Sequence, residues 1–134
     1  MGNLYVLDRS GNQIWKHVPT ADGYGAPPIG YFSSAQPHDL GAAVDMTIDG
    51  AVYVLFAGGR IEKYMTGNRQ PFGLGRMIDP LVAPSAIFSR PDAEVKSIYV
   101  AEATGARIAQ FKKTGEFVRQ FKLVRTNLLA SLSD

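Results

Sequence analysis

The sequence predicts an all-β chain assembled from a repeated four-stranded antiparallel unit, and three observations predict it. An apolar phrase built on Tyr-Val recurs at residues 4–7, 52–55 and 98–101, with Tyr5, Tyr53 and Tyr99 spaced 48 and 46 residues apart. Each tyrosine is followed by an isoleucine at nearly constant distance: Ile14 nine residues later, Ile61 eight and Ile108 nine. Glycine and proline, 14 and 8 of the 134 residues, lie between the apolar segments, a distribution that suits many turns rather than long helices. Repetition at this period is the mark of a stacked-repeat architecture.

The clearest copy is the second, "AVDMTIDGAVYVLFAGGRIEKYMTG". It reads as a strand at residues 43–48, an Asp49-Gly50 turn, a strand at 51–56, a Gly58-Gly59 turn and a strand at 60–65. Asp-Gly and Gly-Gly suit hairpin turns because they tolerate the positive φ that type I′ and II′ geometry requires. The third copy supplies strands at 85–89, 97–102 and 107–112 and, after Thr114-Gly115, a fourth at 116–124. The first opens on Leu4, Tyr5 and Val6, which match the second strand of the later copies. The run "VYVLF" is apolar on both faces and fits a sheet packed between two others. Four-stranded antiparallel units at this spacing, apolar on both sides, are expected to form the blades of a β-propeller. A single domain over 1–134 is expected, with blade 1 at about 1–40 lacking its innermost strand, blade 2 at 41–83, blade 3 at 84–125, and 126–134 beginning the innermost strand of a further blade.

The third copy resembles the NHL class of propeller repeat, whose phrase runs "D…G.IYVAD…N.RI..F…G.F". Here it becomes Ile98-Tyr99-Val100-Ala101-Glu102, then Arg107-Ile108, Phe111, Gly115 and Phe117. The second copy shares Asp49-Gly50, Val52-Tyr53-Val54, Arg60-Ile61 and Tyr64. The first shares Leu4-Tyr5-Val6, Asp8, Gly11-Asn12 and Ile14, and departs at Gln13, where arginine is expected. The loops at 18–40 and 66–83 also depart. The resemblance implies a blade type and says little about a ligand, and counting strands along the chain gives about 2.75 blades.

Propellers have 4–8 blades, so fewer than three leave sheet surfaces uncovered. A homodimer closing one six-bladed ring is expected, with Leu128, Leu129 and Leu132 of each chain completing the sheet that the other begins at Leu4, Tyr5 and Val6. A fragment of a longer or engineered propeller, whose activity is self-association, is the competing account. A short C-terminal helical turn over the same leucines ranks last.

Composition excludes several chemistries. With no cysteine there is no disulfide framework, thiolate metal site or cysteine nucleophile. No apolar stretch reaches the length of a membrane-spanning helix, and the N-terminus lacks signal-peptide regions, so the compartment stays open. Net charge is +2 but unevenly placed: residues 1–105 hold 8 basic and 10 acidic side chains, and 106–134 hold 6 and 2. The basic block is read as the wet face of an edge strand, where lysine discourages further pairing. "DMTIDG" fails as a calcium loop, because its twelfth position is Phe56. No nucleophile elbow, zinc-binding H-E-x-x-H or phosphate loop occurs. Asp92 and Glu94 lie in a loop beside Pro91 and are read as solvated.

Three function classes remain. The leading one is a non-catalytic scaffold for a protein or small ligand, presented by the loops at 18–40 and 66–83. A second is a lyase- or lactonase-like propeller enzyme with a metal near the axis, using His38 and Asp39 of both chains. A third is an RNA-binding propeller using Lys112, Lys113, Arg119, Lys122 and Arg125. No cofactor is expected, and Glu102 and Arg107 are expected to pair across a hairpin and fix its geometry, a contact worth ~0.2–1 kcal/mol if exposed.

Overall fold

The computed structural model describes residues 2–32, 39–77, 79–89 and 97–122, and there the chain is all β. It forms three antiparallel sheets. The first joins β1 (Leu4–Asp8), β2 (Gln13–His17) and β3 (Ile29–Gly30), in that order. The second runs β4 (Ala43–Asp49), β5 (Ala51–Phe56), β6 (Ile61–Met65) and β7 (Asn68–Gln70). The third runs β8 (Ala86–Ser89), β9 (Ser97–Glu102), β10 (Arg107–Lys112) and β11 (Phe117–Lys122).

Turn chemistry sets these boundaries. Gly50 takes φ 73° between β4 and β5, and Gly58 and Gly59 take 90° and 103° between β5 and β6. The residue before Gln13, Arg60 and Arg107, which occupy equivalent repeat positions, is left-handed in every copy: Asn12 at φ 52°, Gly59 at 103° and Ala106 at 47°. Asparagine and glycine adopt that conformation readily, whereas alanine is held there by the surrounding sheet.

Period-two alternation then sorts the side chains. Every residue of β5 is buried. Ala51, Tyr53 and Leu55 join Ile61, Leu81, Ile87, Ile98, Val100, Ala109 and Phe111 in a core between the second and third sheets. Val52, Val54 and Phe56 join Ile14, Phe32, Leu40, Ala43 and Tyr64 in a core against the first sheet. Edge-to-face aromatic pairs lock both layers, Phe32 on Tyr64 at 4.8 Å and Tyr53 on Phe72 at 5.6 Å. Beside the sheets, Asp45 of β4 accepts a hydrogen bond from the Ile87 amide of β8 at 2.8 Å, and the Thr47 and Ser89 hydroxyls meet at 3.1 Å. Adjacent sheets therefore meet strand beside strand at β4 and β8.

The structure departs from the sequence expectations in a few places. The segment expected as a loop at 66–83 contains β7, turned from β6 by Thr66 and Gly67 at φ 49° and 81°. Both central residues have positive φ, as a type I′ hairpin requires, with a threonine standing where asparagine is usual. The loop expected at 18–40 likewise contains β3. Strand ends move by one residue at β4, β6, β8 and the start of β11. The end of the expected 116–124 strand, and with it Leu128, Leu129 and Leu132, lies outside the described residues.

Leu55 is fully buried in the core shared by the second and third sheets. Leu55→Ala is expected to cost about 2–5 kcal/mol, read as a lower denaturant midpoint with an unchanged slope.

Candidate functional site

The charged groups singled out by the repeats sit where β1–β2, β5–β6 and β9–β10 join, and each copy uses them differently. In the third sheet, Glu102 and Arg107 face each other across β9 and β10 and are both only 4% exposed. The Arg107 Nε donates to Glu102 Oε1 at 2.9 Å. Its other nitrogens donate to the carbonyls of Asp79 at 2.5 Å and Pro80 at 2.8 Å, and to Gln120 Oε1 at 3.0 Å. Glu102 Oε2 accepts the amides of Val82 at 2.6 Å and Ala83 at 2.9 Å. The two residues pair across the hairpin as the sequence implies, and the pair is a buried clamp on residues 79–83. Burial alone would raise the Glu102 pKa, but the Ala83 and Val82 amides and the Arg107 guanidinium outweigh it and hold it below the usual glutamate value.

The second sheet replaces the ion pair with a cation over a ring. Phe56 occupies the position of Glu102, and the Arg60 guanidinium lies 4.0 Å from its ring centroid. Arg60 also bonds Glu62, which accepts from the Tyr64 hydroxyl and lies 3.5 Å from Arg69 Nη2. Burial first, and then Glu62, push the Tyr64 phenol well above its ordinary value, so it stays a hydrogen-bond donor. In the first sheet Gln13 does the work of the absent arginine. Its Oε1 accepts the amides of Ile14 at 3.0 Å and Phe32 at 2.9 Å, while its Nε2 donates to the Phe32 carbonyl at 3.2 Å. Asp8, across from Gln13, turns instead to the Trp15 indole N–H at 3.1 Å and the Gly11 amide at 2.9 Å, and these bonds hold its carboxyl below the usual aspartate value.

Open space lies beside these braces. A cleft of about 650 Å³ is lined by Gly58, Gly59, Leu74, Gly75, Met77 and Leu81, with Arg76 and Pro80 on the same wall. A smaller one of about 290 Å³ adjoins the Glu102–Arg107 clamp and reaches Lys122. Nothing in the sequence patterning marked the larger cleft, because its wall comes from the segment after β7.

The remaining sequence candidates do not converge. His38 lies outside the described residues. Asp39 is exposed and bonds the Gly41 amide at 3.0 Å, where it shapes the approach to β4. His17 is half-buried at the end of β2. Among the described residues no group of three or more His, Cys, Asp or Glu side chains could hold a metal ion. The basic block is partly spoken for: Lys113 pairs with Asp49 of the second sheet, and Lys112 lies 3.1 Å from Glu116. Lys113 therefore ties two sheets together, a role legible only once residues 64 apart are in contact. Arg125 lies outside the described residues.

No family model matches the chain, and no curated protein matches it at a significant level. Among solved structures it is similar to the virginiamycin B lyase of Staphylococcus aureus, a β-propeller, with a TM-score of 0.60 and 20% identity. The likeness covers 94% of this chain and 39% of the lyase, so this chain spans well under half the length of that protein. At this identity the match shows a propeller-like fold.

Arg107→Met removes one half of a buried clamp and is expected to cost about 3–5 kcal/mol, with faster hydrogen exchange at residues 79–83. Because the folded Glu102 pKa is depressed, its contribution to stability is complete above the ordinary value of 4.5 and disappears as pH falls through the folded value. The denaturant midpoint is expected to fall below pH 4.5, and Glu102→Gln to flatten that acid limb.

Proposed function

We propose that the chain is a non-catalytic propeller module of the NHL type, a rigid scaffold that binds a partner through its loops and closes into a six-bladed ring with a second copy of itself. The observation that carries this reading is the employment of its charged side chains. Glu102, Arg107, Arg60, Glu62, Asp8, Asp49 and Lys113 are each engaged in holding a turn, a connecting segment or a neighbouring sheet. Groups so engaged hold shape, whereas catalysis needs a titratable group presented to a substrate. The large cleft, lined by Leu74, Met77 and Leu81 together with glycine backbone, suits a small ligand or an inserted side chain.

Ring closure draws support from the first sheet. Among the described residues β1 pairs with β2 alone, while the equivalent strands β5 and β9 pair on both sides. An added strand along β1, such as residues 128–133 of a second copy, would restore the four-stranded pattern of the other two sheets. Two copies of three sheets give six blades.

The structural likeness to a propeller lyase is compatible with a lyase-like reading, which would use His38 and Asp39 of two copies. The RNA reading loses ground to the ion pairs of Lys112 and Lys113.

Light scattering across a concentration series is expected to return about twice the 14.5 kDa chain mass. A folded monomer would overturn ring closure. Added zinc is expected to leave the melting temperature unchanged; a saturable rise of several degrees would favour the enzyme reading instead.

A further inference from the structure

The three sheets are copies of one unit, so each exposed face has a buried counterpart elsewhere in the molecule. On the first sheet, Leu4 and Val6 are 49% and 43% exposed, and Val6 stands across from Trp15. By the repeat spacing, Leu4 and Val6 correspond to Val52 and Val54 of the second sheet and to Ile98 and Val100 of the third. All four of those are buried against the sheet that precedes them.

The third sheet carries the complementary half. A row across it runs Ala86, Ala101, Ile108 and Phe121, and the next runs Phe88, Tyr99, Gln110 and Arg119. Phe121 is 44% exposed and Phe88 39%, with Phe88 stacked on Tyr99 at 5.2 Å. Tyr99 and Ile108 correspond to Tyr53 and Ile61, which are buried against the third sheet. Phe121 corresponds to Phe72, two residues past the Lys63–Gln70 pair, and Phe72 packs into that same core against Tyr53. The face built from Tyr53, Ile61 and Phe72 thus receives Ile98 and Val100, and the face built from Tyr99, Ile108 and Phe121 has the same elements.

We infer that the outward face of the third sheet is the docking surface for the outward face of the first sheet of a second copy, so that copies pair head to tail. This rests on the ring reading above and specifies which surfaces close it. Exposed apolar side chains at positions whose counterparts in the other sheets are buried mark an interface, in contrast to scattered exposed apolar side chains. The internal cores supply its geometry: Leu4 and Val6 of one copy sit over Tyr99, Ile108 and Phe121 of the next, as Ile98 and Val100 sit over Tyr53 and Phe72. The interface is heterologous, and two such contacts related by a two-fold axis complete the pair.

Two single variants and their mixture test it. Val6→Lys and Phe121→Lys change exposed positions on opposite faces, and far-UV circular dichroism with a melting curve checks that each folds. Leu4→Lys and Ile108→Lys serve as the second pair where either fails to fold. With the wild-type chain dimeric by light scattering, each variant alone is expected to be a monomer, because every head-to-tail contact then carries one lysine. Mixed in equal amounts they are expected to associate, since one contact joins two unaltered faces. A variant that stays dimeric alone, or a mixture that stays monomeric, overturns the head-to-tail assignment and leaves ring closure standing. A monomeric wild-type chain removes the ring reading itself and this inference with it.

Discussion

A β-sheet with apolar side chains on both faces is stable only between two neighbours, and β5 is where this constraint is met in full. Its six consecutive buried residues divide by parity, three to the core shared with the third sheet and three to the core shared with the first. Strict alternation fixes the register: a slip of one residue would exchange the two faces and place Tyr53 where Val52 and Val54 now fit. The outer sheets inherit their arrangement from this one. Tyr5, Leu7 and Ile14 face inward because the middle sheet offers a surface on that side, and Ile98 and Val100 do so from the other direction.

Around this stack, the repeat keeps positions and changes chemistry. The residues opposed at the β1–β2, β5–β6 and β9–β10 turns are an aspartate and a glutamine, a phenylalanine and an arginine, and a glutamate and an arginine. An amide can satisfy two backbone donors and a carbonyl at once, as Gln13 does, and a guanidinium can do so for several carbonyls, as Arg107 does. The Gln13 and Arg107 solutions satisfy polar backbone that would otherwise be stranded beside an apolar core, whereas Arg60 lies over the Phe56 ring and bonds Glu62. Interchangeability at these turns explains how the copies can differ in sequence while keeping one pairing register, Leu7 with Ile14, Leu55 with Ile61 and Ala101 with Ile108.

Much of this fold was legible in the sequence because its strands are short, alternating and bounded by glycine. Residues 51–56, 97–102 and 107–112 form strands with the limits that pattern alone implies. β7 was not legible: Asn-Arg-Gln has no apolar alternation, and its pairing rests on backbone bonds and a Thr-Gly turn. The candidate site was less legible still. The Glu102–Arg107 pair was visible, but its burial depends on residues 79–83 folding over it from about twenty positions upstream, and the cleft beside Gly58 and Gly59 depends on that same segment. Local spacing carries no record of such returns.

Stacking by a repeated face has a consequence that chemistry does not settle. In an assembly built by the proposed head-to-tail contact, each sheet would be turned relative to its predecessor by a similar amount, without any internal signal to stop. When the accumulated rotation over six sheets matches a full circle, the ends meet and the assembly is finite. When it falls short or overshoots with a small rise along the axis, identical contacts continue as an open helix of unlimited length. The boundary between a closed particle and a fibre would then be set by a few degrees of sheet twist, to which the packing volumes of Tyr53, Phe72 and their counterparts contribute.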